Sequence, residues 1–363
     1  MKRNSPNPRR PRGPVRSDPA PEPAGNADAA AELPARFRER LEALLPADRF
    51  EACWATFHRP RGTAFRVNRL LGEADPLLAE LRAAGLHPEP IPWLPEACTV
   101  PPSERRALTE CIACNEGRLY IQNPSSLVPP LVLEPRPGDR ILDLCAAPGG
   151  KTLHLAALTG EPEGIAAVEA VRARFFRLKR NLASGGAAAV RTYLRDGTGV
   201  WRHCPEEFDR VLLDAPCSAE GLFDAAVPET YAGWSERRIR EVSRRQARLL
   251  YSAVQSLKPG GVLVYSTCTL APEENELVVD QLLHRFPDRL RIEPLPLPIP
   301  GVQPGLCSWE GHPVDPSLSQ AGRILPDGRF EAFFVCRLRK VTSTVEERTG
   351  DPRPAGHRRS RRP

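Results

Sequence analysis

The sequence lacks a long apolar run. A helix that crosses a bilayer needs about 20 consecutive apolar residues. The basic N-terminus is followed by no apolar segment, so no secretory signal is predicted either. Both absences predict a cytoplasmic protein without a membrane partner. In that compartment its 10 cysteines are expected to be thiols rather than disulfides.

The sequence also lacks a second CxxC pair to accompany Cys111 and Cys114. A structural zinc ion usually takes four ligands from two such pairs. We therefore predict no metal site. A metal or redox use of the lone pair stays open as the less favoured alternative.

A third absence concerns the stretch CAAPGGKT at residues 145–152, which follows the apolar run at 141–144. A P-loop carries a glycine five positions before its Gly-Lys-Thr. That position holds Cys145, and Pro148 removes an N–H group that a phosphate cradle would use. Residues 211–214 resemble the strand and acid that hold magnesium in such proteins. The two losses nevertheless disfavour a nucleoside triphosphatase.

The length and the charge of the chain are informative. Its 363 residues suffice for two domains. The net charge of +6 favours an anionic partner such as nucleic acid. The basic excess lies partly in residues 1–31 and 341–363, for which we predict a disordered arm and a disordered tail that are either solvated or in contact with RNA.

Residues 32–135 combine helical and strand patterns, which predicts a small α+β unit. Residues 136–340 alternate apolar strand runs with helical segments, which predicts a doubly wound, Rossmann-like α/β domain with a parallel sheet. The predicted strands are 140–144, 164–169, 190–194, 208–214, 262–266 and 331–338. A long predicted helix at 235–257 has one apolar face, and its many arginines contact either solvent or RNA.

Ligands bind at the carboxyl ends of strands in such sheets, so the residues found there are candidate site residues. Glu169, about 20 residues beyond the glycines, can accept hydrogen bonds from ribose hydroxyls. Asp196 follows the third strand as a candidate contact of an adenine amino group, and Asp214 follows the fourth. Each acid alone is more often a helix cap or a turn former. In order, they favour an adenosyl ligand without a phosphate chain, namely S-adenosylmethionine.

Two cysteines follow the fourth and fifth predicted strands, Cys217 and Cys268. Neighbouring strands lie about 5 Å apart, so both thiols are expected in one cleft beside the donor methyl group. Methylation at carbon 5 of a pyrimidine requires such a thiol, because a thiolate that adds to carbon 6 turns carbon 5 into a nucleophile. Asp214 is placed to promote this addition near N3 of the ring. The spacing leaves open which thiol attacks.

Taken together, the motifs resemble the RNA (cytosine-5) methyltransferases of the Sun/Nop family, which includes the RsmB- and RsmF-like enzymes. The matching stretches are YIQNPSS at 120–126, LDLCAAPGGKT at 142–152, LDAPCS at 213–218, YSTCT at 265–269, PEEN at 272–275, RILP at 323–326 and FFVCRLRK at 333–340. The resemblance covers roughly residues 33–340.

The resemblance implies catalytic roles for four residues. Cys268 is the expected nucleophile and Cys217 assists product release, with Asp214 and Lys151 in the catalytic cleft and Pro216 shaping the loop. It also implies an S-adenosylmethionine site, which consists of Cys145, Ala146, Ala147, Pro148, Gly149, Gly150, Lys151, Glu169, Asp196 and Asp214.

The implied activity is transfer of a methyl group from S-adenosylmethionine to carbon 5 of a cytosine in RNA. Ribosomal RNA is the expected substrate, with transfer RNA as the alternative, and we expect a monomer. A catalytically inactive RNA-binding or ribosome assembly factor is the alternative of another class. The N-terminal unit is expected to bind RNA, with Arg66 at a phosphate. RsmF-like enzymes often carry a further C-terminal RNA-binding domain, and this chain ends soon after Lys340.

Overall fold

The computed structural model describes residues 32–345. The predicted arm at 1–31 and residues 346–363 of the predicted tail lie outside the described residues. Within the described part, no helix combines the length and the apolar character that a membrane span requires.

Two helices open the described chain, α1 (Ala35–Leu44) and α2 (Ala47–Thr56). Their apolar residues do not join the sheet that follows them in the sequence. Phe37 of α1 instead makes an edge contact with Phe223, with the ring centroids 4.8 Å apart, and packs against Trp234. These helices therefore cover the loop that carries residues 220–234 of the larger domain.

A separate antiparallel sheet follows, in the order β2-β3-β1-β4. Its strands are β1 (Thr63–Val67), β2 (Glu89–Ile91), β3 (Leu94–Val100) and β4 (Leu119–Ile121). Its helices are α3 (Ala74–Ala83), α4 (Arg105–Glu110) and α5 (Ile112–Asn115). Leu77 and Leu81 of α3 lie on the same face of the helix and pack against Phe65 and Val67 in a small core.

The large sheet contains nine strands, and eight of them follow the order β11-β14-β15-β9-β8-β5-β6-β7, while β10 pairs with β15. The strands are β5 (Ile141–Asp143), β6 (Ile165–Glu169), β7 (Arg191–Leu194), β8 (Phe208–Asp214), β9 (Leu257–Thr267), β10 (Leu290–Glu293), β11 (Gln303–Pro304), β14 (Gly322–Ile324) and β15 (Phe333–Lys340). A separate two-stranded hairpin consists of β12 (Ser308–Trp309) and β13 (His312–Pro313).

The five strands from β5 to β9 are parallel, as predicted. The expectation that the last predicted strand continues the parallel sheet is wrong, because β15 pairs antiparallel with β9, and β10, β11 and β14 extend that antiparallel edge. Apolar periodicity reveals a strand but not its direction, which depends on the connection. The strand order reverses beside β5, so the carboxyl ends of β5 and β8 border the crevice where ligands bind.

Helices cover both faces of the large sheet. The helices α6 (Pro124–Leu133), α7 (Gly150–Thr159) and α8 (Arg172–Ser184) share a core on one face. On the other face lie α9 (Glu236–Ser256) and α10 (Glu276–Arg285). Helix α9 begins at a cap in which Ser235 accepts a hydrogen bond from the Arg238 N–H group. This layering leaves the carboxyl ends of the parallel strands as an edge at which a site can form.

Candidate active site

The two cysteines that follow β8 and β9 lie side by side. The two strands pair in parallel with Asp214 opposite Ser266, so the residues just beyond them emerge together. The Cys217 and Cys268 sulfur atoms are 3.2 Å apart. A disulfide would bring them to about 2.05 Å, and both residues are free thiols.

Buried hydrogen bonds hold the two loops that carry these thiols. The Gly221 N–H group donates to the Cys268 carbonyl oxygen at 2.9 Å. The Ser218 and Thr269 hydroxyl oxygens are 2.8 Å apart, and the buried Glu220 carboxylate accepts from the Thr269 hydroxyl and from the Leu270 N–H group. The contact between the thiols is therefore held by the surrounding loops.

The environment of Cys217 favours its protonated form. The hydrogen bond with Cys268 raises the pKa of the Cys217 thiol well above its usual value, and burial raises it further. Cys217 can therefore donate its S–H group to the neighbouring sulfur. A thiolate at Cys268 would be stabilised by that donation, because hydrogen bonds to a charged group are about twice as strong as neutral ones.

A lysine and an aspartate face each other in the same cleft. Lys151 Nζ lies 2.8 Å from Asp214 Oδ2 and 2.5 Å from the Ser126 hydroxyl oxygen. The Ser266 hydroxyl donates to Asp214 Oδ1 at 2.9 Å. Both charged side chains are thus fixed from two sides at the carboxyl end of β8.

The glycine loop between β5 and α7 is closely packed. Gly149 has φ 111°, a left-handed conformation that favours glycine. A Cβ at Gly150 would come within 2.7 Å of Tyr120 Cε1. From α8, Arg174 donates to the Ala147 carbonyl oxygen and Asn181 donates to the Pro148 carbonyl oxygen, both at 2.8 Å. The loop is therefore held between the N-terminal sheet and α8.

The remaining predicted cofactor residues lie at the ends of β6 and β7. Glu169 is buried and accepts from the Val171 N–H group at 2.8 Å. Asp196 accepts from the Thr198 N–H group at 3.1 Å and caps the turn that follows. A cavity of about 140 Å³ lies beside the glycine loop, and its lining includes Lys151 and Asp214.

The residues at these strand ends fit S-adenosylmethionine better than a nucleoside triphosphate. The strand ends present the carboxylates of Glu169, Asp196 and Asp214, which accept hydrogen bonds from hydroxyl and amino groups and repel phosphates. Asp143 adds a buried oxygen, Oδ1, that has no partner within the described chain. When bound, S-adenosylmethionine supplies a methyl group on a positively charged sulfur.

Two acids near the cleft were not predicted as site residues. Asp143 is buried, and burial raises its pKa to about 7, although the Thr152 hydroxyl donates to its Oδ2 at 2.6 Å. Burial likewise raises the pKa of Glu274 to about 7, while its Oε2 accepts from the Ser218 N–H group. Both belong to motifs that the sequence displays, LDLC and PEEN, but only burial gives them unusual protonation behaviour. Ser126 was also missed, because a serine in YIQNPSS carries no chemical role until its lysine partner is known.

The prediction that Arg66 meets a phosphate is wrong. Its side chain is fully buried, its Nε and Nη2 atoms have no hydrogen-bond partner among the described residues, and burial lowers the pKa of its guanidinium group. All five residues of β1 are buried, so the alternating pattern does not present the arginine to solvent.

The lone CxxC pair forms a helix cap, and the long basic helix carries an ion pair on its surface. The Cys111 sulfur accepts from the Cys114 N–H group at 3.4 Å and so caps α5. Residues 32–345 contain no group of three or more His, Cys, Asp or Glu side chains arranged to hold a metal ion. On α9, Arg237 pairs with Glu241 at 2.9 Å.

The order of the five parallel strands is that of a Rossmann-like fold. Acids at the ends of three of these strands and the glycine loop are the arrangement expected of an S-adenosylmethionine-dependent methyltransferase. The sequence profile of the family described as 16S rRNA methyltransferase RsmB/F matches residues 130–339. The chain belongs to this family, which confirms the predicted fold, enzyme class and methyl donor and supports methylation of cytosine in RNA.

Individual relatives agree with this assignment. The chain is 36% identical over 304 residues to the tRNA (cytosine(49)-C(5))-methyltransferase of Pyrococcus abyssi. This match covers 84% of this chain and 96% of the relative. It is 35% identical over 312 residues to the ribosomal RNA small subunit methyltransferase F of Serratia proteamaculans. That match covers 85% of this chain but 63% of the relative, so the chain spans less than two thirds of that protein's length.

Solved structures show the same architecture. A methyltransferase homologue from Pyrococcus horikoshii superposes with a TM-score of 0.72 at 31% identity, over 84% of this chain and 94% of the other. NSun6 from Pyrococcus horikoshii, solved with SFG, an S-adenosylmethionine analogue, gives a TM-score of 0.71 at 25% identity, over 85% and 98% of the two chains.

Proposed function

We propose that this protein methylates carbon 5 of a cytosine in RNA through a temporary covalent bond between Cys268 and carbon 6. The observation that supports this most directly is the 3.2 Å distance between the Cys268 and Cys217 sulfur atoms at the carboxyl ends of adjacent parallel strands. Methylation of an amino group would need no thiol, whereas methylation at carbon 5 needs one to activate the ring.

The reaction begins at Cys268, which adds to carbon 6 as a thiolate. The electron pair of the 5,6 double bond then makes carbon 5 nucleophilic, and carbon 5 takes the donor methyl group as the carbon–sulfur bond of the donor breaks. A base next removes the proton from carbon 5. The double bond reforms, and the Cys268 sulfur leaves carbon 6 as a thiolate.

Cys217 is proposed to assist the release of the product. Its raised pKa keeps it protonated before the reaction, when it stabilises the Cys268 thiolate by donating a hydrogen bond. Its position within hydrogen-bond reach of the departing sulfur also suits it to stabilise that sulfur as the carbon–sulfur bond breaks.

Lys151 and Asp214 are proposed to orient and polarise the cytosine ring. Asp214 is placed to hydrogen-bond the ring near N3 and the exocyclic amine. The positive charge of Lys151 can stabilise the negative charge that develops in the ring as the thiolate adds to carbon 6. Lys151 holds that carboxylate at 2.8 Å, and Ser126 anchors the lysine in turn. The residues 145–151, Glu169 and Asp196 are proposed to hold S-adenosylmethionine.

Ribosomal RNA is the proposed substrate, because the family profile and the relative from Serratia proteamaculans carry that name. Transfer RNA is the second candidate. It is supported by the relative from Pyrococcus abyssi, which is named for tRNA and is covered by this chain over 96% of its length. We further propose that the unit at 32–135 holds RNA and that the protein acts as a cytoplasmic monomer. Bisulfite sequencing of RNA from cells with and without the protein distinguishes the two substrates.

Methyl transfer from tritiated S-adenosylmethionine to total RNA tests the proposed activity. Wild-type protein should label RNA and Cys268→Ala should not. Cys217→Ala should instead accumulate a protein–RNA adduct that survives denaturation. If Cys268→Ala gave the adduct, the roles of the two thiols would be reversed. RNA binding by wild-type protein without any methyl transfer would favour the alternative of an inactive RNA-binding or assembly factor.

A further inference from the structure

Helix α8 carries a basic face that the proposed reaction does not use. Its 13 residues include no acid and five cations, which are Arg172, Arg174, Arg177, Lys179 and Arg180. One of them, Arg174, is fixed to the glycine loop through the Ala147 carbonyl oxygen. The rest of this face therefore lies in a defined position relative to the cofactor loop.

Three residues of α8 form an exposed stripe. Arg172, Phe176 and Arg180 are four residues apart and so lie on one side of the helix. The Phe176 side chain is 54% exposed, and the Arg172 guanidinium carbon lies 5.6 Å from the centre of its ring. No ion pair within residues 32–345 involves Arg172 or Arg180. Cations that flank an exposed aromatic ring suit phosphates and a stacked base.

A groove lies between α8 and the N-terminal sheet, with a volume of about 290 Å³. On the α8 side its lining includes Arg180, Asn181 and Ser184, and Asn115 contributes from the N-terminal unit. Tyr120, Ile121 and Pro148 line both this groove and the cavity that contains Lys151 and Asp214. The groove therefore adjoins the cavity along these three residues.

The geometry points to this groove, together with the stripe on α8, as the path of a single-stranded RNA segment that flanks the target cytosine. This inference rests on the proposed function and adds the route of the substrate. An unpaired strand fits better than a duplex, because Phe176 can stack only on a base whose face is free. The arginines of α9 lie on the opposite face of the sheet and cannot line this groove.

Fluorescence anisotropy with a labelled oligocytidylate of about 12 nucleotides tests the path, because single-strand sites span roughly 4–16 nucleotides. Full-length protein is titrated at several salt concentrations. Arg180→Ala should weaken binding about tenfold and reduce the slope of log affinity against log salt by about 0.7, the value for one phosphate contact on a single strand. Phe176→Ala should weaken binding about tenfold with the slope unchanged.

Two variants serve as controls. Arg180→Lys keeps the charge and should retain the salt slope. Arg248→Ala removes an exposed arginine of α9 and should leave affinity within about twofold. The path is overturned if both Arg180→Ala and Phe176→Ala bind the oligocytidylate with wild-type affinity. It is also overturned if Arg248→Ala loses as much affinity as the α8 variants, or if wild-type protein does not bind the oligocytidylate.

Methyl transfer to total RNA, measured on the same samples, separates this inference from the proposed function. A wild-type protein that methylates RNA while the α8 variants bind normally refutes only the path. A wild-type protein that binds the oligocytidylate through α8 but transfers no methyl group refutes only the proposed function.

Discussion

The two ends of strand β8 carry similar ion pairs in different surroundings. At the carboxyl end Asp214 lies 2.8 Å from Lys151, and near the amino end Asp209 lies 2.6 Å from Lys258. The Lys151 side chain is 13% exposed and lines a cavity, whereas the Lys258 side chain is 37% exposed. A short lysine–aspartate pair therefore does not identify a site by itself, and its position on the parallel sheet does.

The neighbours of each pair explain the difference. Asp209 Oδ2 accepts from the Arg140 N–H group, so the amino-end pair ties the chain before β5 to β8. Asp214 instead accepts from the Ser266 hydroxyl and faces a cavity. The amino-end pair joins backbone segments, while the carboxyl-end pair orients side chains toward a ligand.

Removing each lysine sharpens this comparison most. Lys151→Met should lower the rate of methyl transfer by about 10²- to 10⁴-fold, the range for a lost proton-handling or polarising group. Lys258→Met removes the same charge from the other end and should leave the rate within about twofold. Single-turnover transfer of a tritiated methyl group measures both rates, and thermal unfolding establishes that both variants fold. Equal losses in the two variants would break the comparison.

The second difference concerns the buried charges that support each end. Behind the thiol loops, Arg323 donates to both Glu276 carboxylate oxygens, at 2.6 Å and 2.5 Å, and both side chains are almost fully buried. At the amino end the buried Lys340 pairs with the half-buried Glu206 at 2.7 Å and also donates to two carbonyl oxygens.

Glu276→Ala should therefore cost about 3–5 kcal/mol of unfolding free energy, because it leaves the Arg323 guanidinium buried without its carboxylate. Glu206→Ala should cost only about 1–2 kcal/mol, since Lys340 keeps its carbonyl acceptors and Glu206 is partly hydrated. Urea unfolding of both variants gives the two values. A larger loss for Glu206→Ala would contradict the difference between the ends.

The two ends should also respond to pH in opposite directions. Burial raises the pKa of Glu274, beneath the thiol loop, to about 7. Its stabilising contribution is present below its unfolded pKa and is lost as the pH rises through 7. Burial alone would raise the pKa of Asp209, but the hydrogen bonds from Lys258 and the Arg140 N–H group hold it below its usual value. The contribution of Asp209 is present above its unfolded pKa and is lost as the pH falls.

The wild-type protein should accordingly lose on the order of 2 to 3 kcal/mol of unfolding free energy between about pH 5 and about pH 8, and Glu274→Gln should abolish that loss. Asp209→Asn should leave the slope in that window unchanged and flatten the decline below about pH 4. Urea midpoints measured across both windows decide the matter. An unchanged slope in Glu274→Gln would show that the raised pKa belongs to another group.

The sequence was sufficient to predict the parallel strands. It also predicted that β8 and β9, which precede the two thiols, are neighbours, because a doubly wound pattern makes the fourth and fifth strands adjacent. It could not predict the antiparallel β15, since direction depends on how α10 and β10 return the chain to the sheet. The burial of Arg66 was missed for a related reason: the alternation assigned one face of β1 to solvent, whereas all five of its residues are buried once the chain has folded.

The last prediction concerns Ser126, which contacts Lys151 because α6 packs over β8 and β9. Ser126→Ala removes the hydroxyl that holds Lys151 at 2.5 Å, while Lys151 keeps Asp214. We expect methyl transfer to slow about tenfold, since one such hydrogen bond contributes about 1.4 kcal/mol to placing the amine. Ser126→Thr retains the hydroxyl and should recover most of the rate.

The matched change at the amino end is Ser343→Ala, which removes a hydroxyl donating to Glu206 at 2.8 Å. It should lower the unfolding free energy slightly without slowing methyl transfer. If Ser126→Ala lowered only the unfolding free energy as well, the hydroxyl would support the fold rather than position the lysine. A slower rate with unchanged unfolding free energy would instead extend the functional difference between the two ends of β8 from its charged residues to the serines that hold them.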